Sequence, residues 1–284
     1  MRYTYKTLST DLHSGVLTAT ISNPPVNVMT EQLYGDLVAF SKEVEADEAV
    51  KVLVVQSADP DFFIAHFDIE MIQGFPIEHP AQRESQLNDF HAMCERFRTM
   101  ATPSLVKIAG RVGGGGNELC SACDMRFGLR EKTVINQMEV PIGILPGGGG
   151  TQQLPRLIGR GRALELILGA EDLDADTAEQ WGYLNRVFAT QSALDTHVDN
   201  LARRIALWPP HAVALAKQSV LNAELPVEEG LKEEAFLFQQ SLRYDAAQRN
   251  MAKIMALGGQ TRDGELRIAE LSESVGIAAR DEQT

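Results

Sequence analysis

Ser104-Leu-Val-Lys-Ile-Ala109, Gly113-Gly-Gly-Gly116 and Asn117-Glu-Leu-Cys-Ser-Ala-Cys123 stand within twenty residues of one another. The first run is short and apolar, as suits a strand buried on both faces. The last reads as a buried helix. Four glycines between them let the backbone approach a neighbour closely. The first N–H groups of the following helix have no helical partners. The junction is therefore either a tight strand-to-helix turn or a cradle for an anion or a developing oxyanion. No Gly-Lys-Ser/Thr follows and no GxGxxG is present, which argues against a nucleotide phosphate loop. Glu118 comes three residues after Gly115, about one helical turn on. Its carboxylate is either a site acid beside the cradle or a partner of the helix dipole.

Outward from this stretch, strands and helices alternate. Gly15–Ile21 reads as a strand, closed by Asn23-Pro-Pro25. Thr30 caps a helix whose apolar face is Leu33, Leu37, Phe40 and Val44. Val50–Val55 is a second doubly buried strand, and a helix bearing Leu87, Phe90, Cys94 and Phe97 stops near Thr102-Pro103. Met125–Leu129 and Thr133–Ile135 read as short strands, and a helix begins at Thr151. Strand-like alternation is also read at the start, over Met1–Leu8. The pattern predicts an α/β chain with right-handed crossovers. From about Asp176 the chain is mostly helical, with Leu184–Phe188 as a strand and Trp208-Pro-Pro210 as a break.

Composition narrows the function classes. The chain has 284 residues, 44% hydrophobic and 23% charged, an ordinary globular mixture. Its 26 Lys plus Arg against 39 Asp plus Glu leave a net charge of −13, which disfavours nonspecific binding to nucleic acid or anionic membrane. No apolar run is long enough to span a bilayer, and no apolar signal region opens the chain, so a cytoplasmic location is expected. Cys94, Cys120 and Cys123 form no disulfide framework. The CxxC of the last two has no second ligand pair, and both residues fall on a predicted buried helix. No metal is expected.

Two further segments carry chemistry. Glu139 stands in the otherwise apolar Gln137-Met-Glu-Val-Pro-Ile-Gly143, ahead of Pro146-Gly-Gly-Gly-Gly150. An acid there is solvated or functional. Facing Glu118 across a dry cleft, it would split the two carboxyl groups into an acid and a base. The stretch Asp61-Phe-Phe-Ile-Ala-His-Phe-Asp-Ile-Glu-Met71 is apolar and turns into a short helix. His66 within it lacks a partner nucleophile or carboxylate and reads as structural.

Taken together, Phe63-Ile-Ala-His-Phe-Asp-Ile69, Gly114-Gly-Gly-Asn-Glu-Leu-Cys-Ser-Ala-Cys-Asp124 and Met138-Glu-Val-Pro-Ile-Gly-Ile-Leu-Pro-Gly-Gly-Gly-Gly-Thr-Gln152 resemble, in order and spacing, the three signature segments of the crotonase superfamily. Asn23–Asn27, Leu157-Ile-Gly159 and Ala178–Val187 fit as flanks, and the resemblance spans roughly residues 5 to 220. It implies a crotonase-like spiral of ββα units over 1–205 and a helical C-terminal oligomerisation region over 206–284. There Leu231, Ala235, Phe238 and Leu242 would serve subunit packing in a homotrimer or homohexamer. It implies an oxyanion hole made by the N–H groups of Phe67 and Gly115. Ala65, Phe67, Asp68, Ile69, Glu70, Gly114 and Gly115 would bind substrate, and Glu118 and Glu139 would be catalytic.

The implied activity is enoyl-CoA hydration, within fatty acid metabolism. Coenzyme A enters as part of the acyl-CoA substrate, with no separate cofactor. Isomerisation, hydrolysis or a lyase step on the same scaffold are the alternatives, and a non-catalytic acyl-CoA or RNA binder is the alternative of another class. Four features depart from the family pattern: His66 stands for glycine, Met138 for proline, Asn117 for a small residue or Cys, and the C-terminal ending differs.

Overall fold

The computed structural model describes residues 3–281. β1 (Leu8–His13) and β2 (Val16–Ile21) form an antiparallel hairpin. Next come α1 (Glu31–Ala46), β3 (Val52–Ser57), β4 (Phe62–Ile64), α2 (Ile69–Gln73), α3 (Asp89–Thr99) and β5 (Ser104–Ile108). β6 (Arg111–Gly113), α4 (Gly114–Ala122), β7 (Met125–Leu129) and β8 (Val134–Asn136) follow. α5 (Gly150–Ile158), α6 (Arg160–Gly169), β9 (Leu173–Asp174), α7 (Ala175–Trp181), β10 (Arg186–Phe188) and α8 (Gln191–Ala206) complete the mixed part. Past Trp208-Pro-Pro210 only helices occur among the described residues: α9 (Pro210–Leu221), α10 (Val227–Ser241), α11 (Asp245–Ala256), α12 (Arg262–Leu266) and α13 (Ile268–Asp281).

β3 shows why its run of β-branched residues is buried on both sides. Leu53 and Val55 face a core shared with Leu33, Leu37, Phe40 and Val44 of α1. Val52 and Val54 face a second core closed by Leu194, Val198, Ala202 and Ala206, a stripe four residues apart on α8. The strand sits third in a sheet ordered β1-β2-β3-β5-β7-β10, parallel from β2 onward. A smaller sheet, β4-β6-β8-β9, runs beside it, with β4, β6 and β8 parallel.

Three sequence expectations change. The N-terminal alternation is not a strand: Met1 and Arg2 lie outside the described residues, and the first strand begins at Leu8. Tyr3 and Tyr5 alternate because both rings pack edge-on against Phe40, while the Lys6 and Thr7 N–H groups donate to Asp36 of α1. The glycine run does not precede its helix but starts it, at Gly114. All nine residues of α4 are buried, so packing on every side holds a segment that propensity alone would not. The strands β1, β4, β6 and β9 add to those the sequence suggests.

α10 leaves Val227, Leu231, Phe236 and Phe238 more than half exposed, and Leu237 is its one buried residue.

Candidate active site

The small sheet assembles the site. β4, β6 and β8 are parallel neighbours in that order, so their C-terminal ends lie side by side, with about 4.8 Å between strands. Each ends in one segment the sequence singled out: Ala65-His66-Phe67, Gly114 to Glu118, and Gln137 to Glu139.

The first segment presents an N–H group. Met29 pairs with Phe67 in a parallel bridge; the Met29 N–H donates to His66 C=O and the Asp68 N–H to Met29 C=O. In parallel pairing the intervening residue turns its own N–H to the other side. For Phe67 that side is Gly115: a Cβ built there would lie 3.6 Å from the Phe67 nitrogen and 3.0 Å from its Cβ. His66 does not take a positive φ, so a side chain is tolerated at the position where the family pattern has glycine. The His66 Nδ1–H donates to the Phe67 carbonyl over 2.9 Å, which fixes its tautomer.

The second segment begins at Gly114, whose φ of +47° favours glycine. At Gly116 a Cβ would come within 2.6 Å of Ile64 Cβ, so α4 sits directly on β4. Gly113 caps the helix without a side chain, leaving first-turn N–H groups for another acceptor.

Glu118 is 4% exposed. Its Oε1 accepts from Gly148 N–H over 2.7 Å and Gly150 N–H over 2.8 Å, so it closes the N-terminus of α5. These donors favour the charged form, but burial outweighs them. Its pKa is pushed up to about 7, chiefly by desolvation, with the charge of Glu139 adding to the rise.

Glu139 follows β8 at the head of a 3₁₀ turn and is 8% exposed. Burial raises its pKa above the ordinary carboxylate value, against hydrogen bonds from its own backbone N–H and from Gln137 and the charge of the nearby His66.

A cavity of about 480 Å³ is lined by Phe67, Gly115, Glu118 and Glu139. The four residues expected to do chemistry thus share one cavity. Ala65, Asp68, Ile69, Glu70 and Gly114 do not line it. Ala65 abuts Gly113 through its carbonyl; the Asp68 carboxylate caps α2, accepting from Glu70 N–H and Met71 N–H; Ile69 is half-buried and Glu70 exposed. Gly114 lies behind the wall, where a Cβ would be 2.9 Å from Glu139 Oε1.

Sequence reasoning missed other walls. Tyr34, Phe67 and Phe90 form a three-ring cluster, with centroids 5.7 to 5.9 Å apart. The sequence places Phe90 on a helix; the helical period gives the face but not what opens beneath it. The glycines at 148 and 150 stood out by composition, yet their donor role depends on where Glu118 arrives. Cys120 and Cys123 are both buried, and desolvation raises both thiols, the second to about 12, which leaves them unreactive.

Known proteins bear on this geometry. The sequence profile of the enoyl-CoA hydratase/isomerase family matches residues 11–255. A Rhizobium meliloti protein named "Probable enoyl-CoA hydratase" is 31% identical over 254 residues, covering 89% of this chain and 96% of that one. The fatty acid oxidation complex subunit alpha of Shewanella frigidimarina is 30% identical over 256 residues, and there the chain spans only 34% of the relative's length. Among solved structures, the enoyl-CoA hydratase of Bacillus anthracis superposes with a TM-score of 0.79 at 25% identity, covering 88% of this chain and 96% of that one. Pseudomonas aeruginosa DspI gives a TM-score of 0.80 at 26% identity, covering 90% and 96%. On this fold, this cavity and this profile match, the chain is an α/β enzyme belonging to the enoyl-CoA hydratase/isomerase family, the crotonase superfamily.

Proposed function

We propose that the chain hydrates 2-enoyl-CoA thioesters to 3-hydroxyacyl-CoA. The observation that carries this reading is the pair of buried carboxyl groups, Glu118 and Glu139, lining one cavity beside the Phe67 and Gly115 N–H groups. The thioester carbonyl oxygen accepts from those two N–H groups. Water adds to C3 as its proton passes to the Glu118 carboxylate. The electron pair of the double bond moves to the thioester oxygen as an enolate, and C2 takes its proton from Glu139. Preorganised donors strengthen as charge grows on the oxygen, so they lower the barrier more than they tighten substrate binding. Atoms balance without a metal or a redox group, and coenzyme A enters as part of the substrate.

Ala65, the Phe67–Glu70 stretch and Gly114 are assigned to coenzyme A on the strength of their place around the Phe67 N–H. The aromatic cluster gives the acyl group an apolar wall. The exposed apolar side chains of α10 support assembly into a homotrimer or homohexamer. No described helix is long and apolar enough to cross a membrane. Three buried, unpaired thiols are compatible with work in the reducing cytoplasm.

The test is hydration of a panel of enoyl-CoA thioesters by wild type, Glu118→Gln and Glu139→Gln. Hydration requires each variant to lose at least about a hundredfold in kcat. Double-bond migration that survives in one variant would reassign the chain as an isomerase.

A further inference from the structure

Four polar side chains run in a line leading out of the cavity into the core. The Tyr183 hydroxyl donates to Asn117 Oδ1. Asn117 Nδ2 donates to Gln137 Oε1 over 2.6 Å, and Gln137 Nε2 donates to Glu139 Oε2 over 3.0 Å. Asn117, Gln137 and Tyr183 are each 0% exposed.

The line has a direction. A phenol has one proton to give, and a side-chain amide donates at one end and accepts at the other. With Oδ1 receiving from Tyr183, Asn117 offers its NH₂ group to Gln137. Gln137 receives on Oε1 and turns its own NH₂ group to Glu139. Tyr183 is itself held: the Arg126 guanidinium lies 5.3 Å from its ring centre, and Arg126 Nε donates to its carbonyl over 2.8 Å. Arg126 also donates to the Cys120 and Cys123 carbonyls at the far end of α4.

Packing alone does not call for this arrangement, because apolar side chains of similar volume fill a core without desolvating polar groups. The amide at 117 also departs from the family pattern, which has a small residue or Cys there. The line ends on an oxygen of a group that lines the cavity.

We propose that Tyr183, Asn117 and Gln137 are positioning residues, a directional relay that fills Glu139 Oε2 with an N–H donor and leaves Oε1 to carry the proton exchanged with the substrate α-carbon. Oε1 takes no donor from this line, and Glu139 lines the cavity together with Phe67 and Gly115. The proposal rests on the assignment of Glu139 as the acid toward C2.

Two readouts keep it separate from the hydratase reading. One is kcat and KM for hydration. The other is exchange of the α-proton of a saturated acyl-CoA in D₂O. In that exchange the C2 proton moves to Oε1, its electron pair goes to the thioester oxygen, and a solvent deuteron returns; no water adds.

Tyr183→Phe and Gln137→Met are each expected to lower exchange and kcat about tenfold, with KM held within about twofold. The double variant is expected to match Gln137→Met alone, because members of one relay are not additive. Asn117→Ala breaks the same line midway and replaces Tyr183→Phe if that variant does not fold. A loss below about twofold in the variant used, a full additive loss in the double variant, or no exchange by wild type would each overturn the relay. Relay-dependent exchange without hydration would instead overturn the hydratase reading and leave the relay standing.

Discussion

Glu118 and Glu139 are the same side chain, nearly equally buried, and lie on one cavity, yet they are held by opposite means. Glu118 is gripped by backbone: two glycine N–H groups of the Pro146–Gly150 turn converge on its Oε1. Glu139 is gripped by side chains, through Gln137 and the amides and phenol behind it. A backbone grip keeps its donors whatever the turn's side chains are, and is broken by anything that moves the turn. A side-chain grip can be cut one atom at a time.

The largest expected effect is on the backbone-held group. Glu118→Gln keeps an oxygen for both glycine donors but cannot take a proton from water. Its kcat for hydration should fall about a thousandfold with the fold intact, read by steady-state kinetics and circular dichroism. A loss of tenfold or less would remove Glu118 from the role of base.

Gly148→Ala attacks the same grip from outside. The new Cβ would come within 2.4 Å of the Phe90 ring and 2.5 Å of Glu118 Oε2, so one of them must move. Displacement by about an ångström is expected to lower kcat about a hundredfold, since misplacement on that scale spoils the attack geometry. Gly143→Ala in the neighbouring turn has open space around its Cβ, and its cost comes from a φ of +86° alone. Its activity per folded molecule should stay near wild type. Equal kcat losses in the two would show that the turn matters for folding rather than for holding Glu118.

How much of this was legible beforehand differs between the two sheets. In the large sheet, β3 and β5 are long enough to show a continuous apolar run, and α1 shows its stripe, so these elements are readable from hydrophobic pattern. In the small sheet, β4, β6 and β8 are three residues each; β8 alone is readable, as Thr133–Ile135, and β4 and β6 are too short for any period to register. Yet these strands place the chemistry. The catalytic candidates were legible because motif spacing survives where period does not: Phe67, Gly115, Glu118 and Glu139 sit together as the resemblance implied. The relay was not legible, because Tyr183 and Asn117 are 66 residues apart and meet only through the fold. The one local sign was the amide at 117 in place of a small residue.

The pH dependence should separate the two acids next. Glu118 acts as a base only when ionised, and burial sets its pKa to about 7. The kcat/KM for hydration should therefore fall about tenfold for each pH unit below about 7, and should fall again at the alkaline side as Glu139, the proton donor to C2, ionises. A limb placed near the ordinary carboxylate value of 4.5 instead would mean that Glu118 is far better solvated than its 4% exposure indicates.

The smallest effect concerns stability and runs opposite to activity. The folded state holds the Glu118 proton up to about pH 7, whereas the unfolded chain releases it near 4.5. Between those values the folded state binds more protons, so this group's contribution to stability declines as pH rises and is lowest above pH 7. The gap corresponds to about 3 kcal/mol at most. Glutamine removes that charge while keeping an acceptor for Gly148 and Gly150. Its new NH₂ group replaces Oε2, which accepts from no donor among the described residues; an unpartnered buried NH₂ group costs about 1–3 kcal/mol. The net gain for Glu118→Gln is therefore about 1 kcal/mol at pH 8, a rise of a few degrees in Tm, and below pH 4.5 it should vanish or reverse. Thermal melts of the two proteins at pH 8 and pH 4 read this directly. A variant less stable than wild type at pH 8 would mean that the glycine grip prefers the carboxylate by more than burial opposes it. The backbone-held glutamate would then be the stabilising one of the pair.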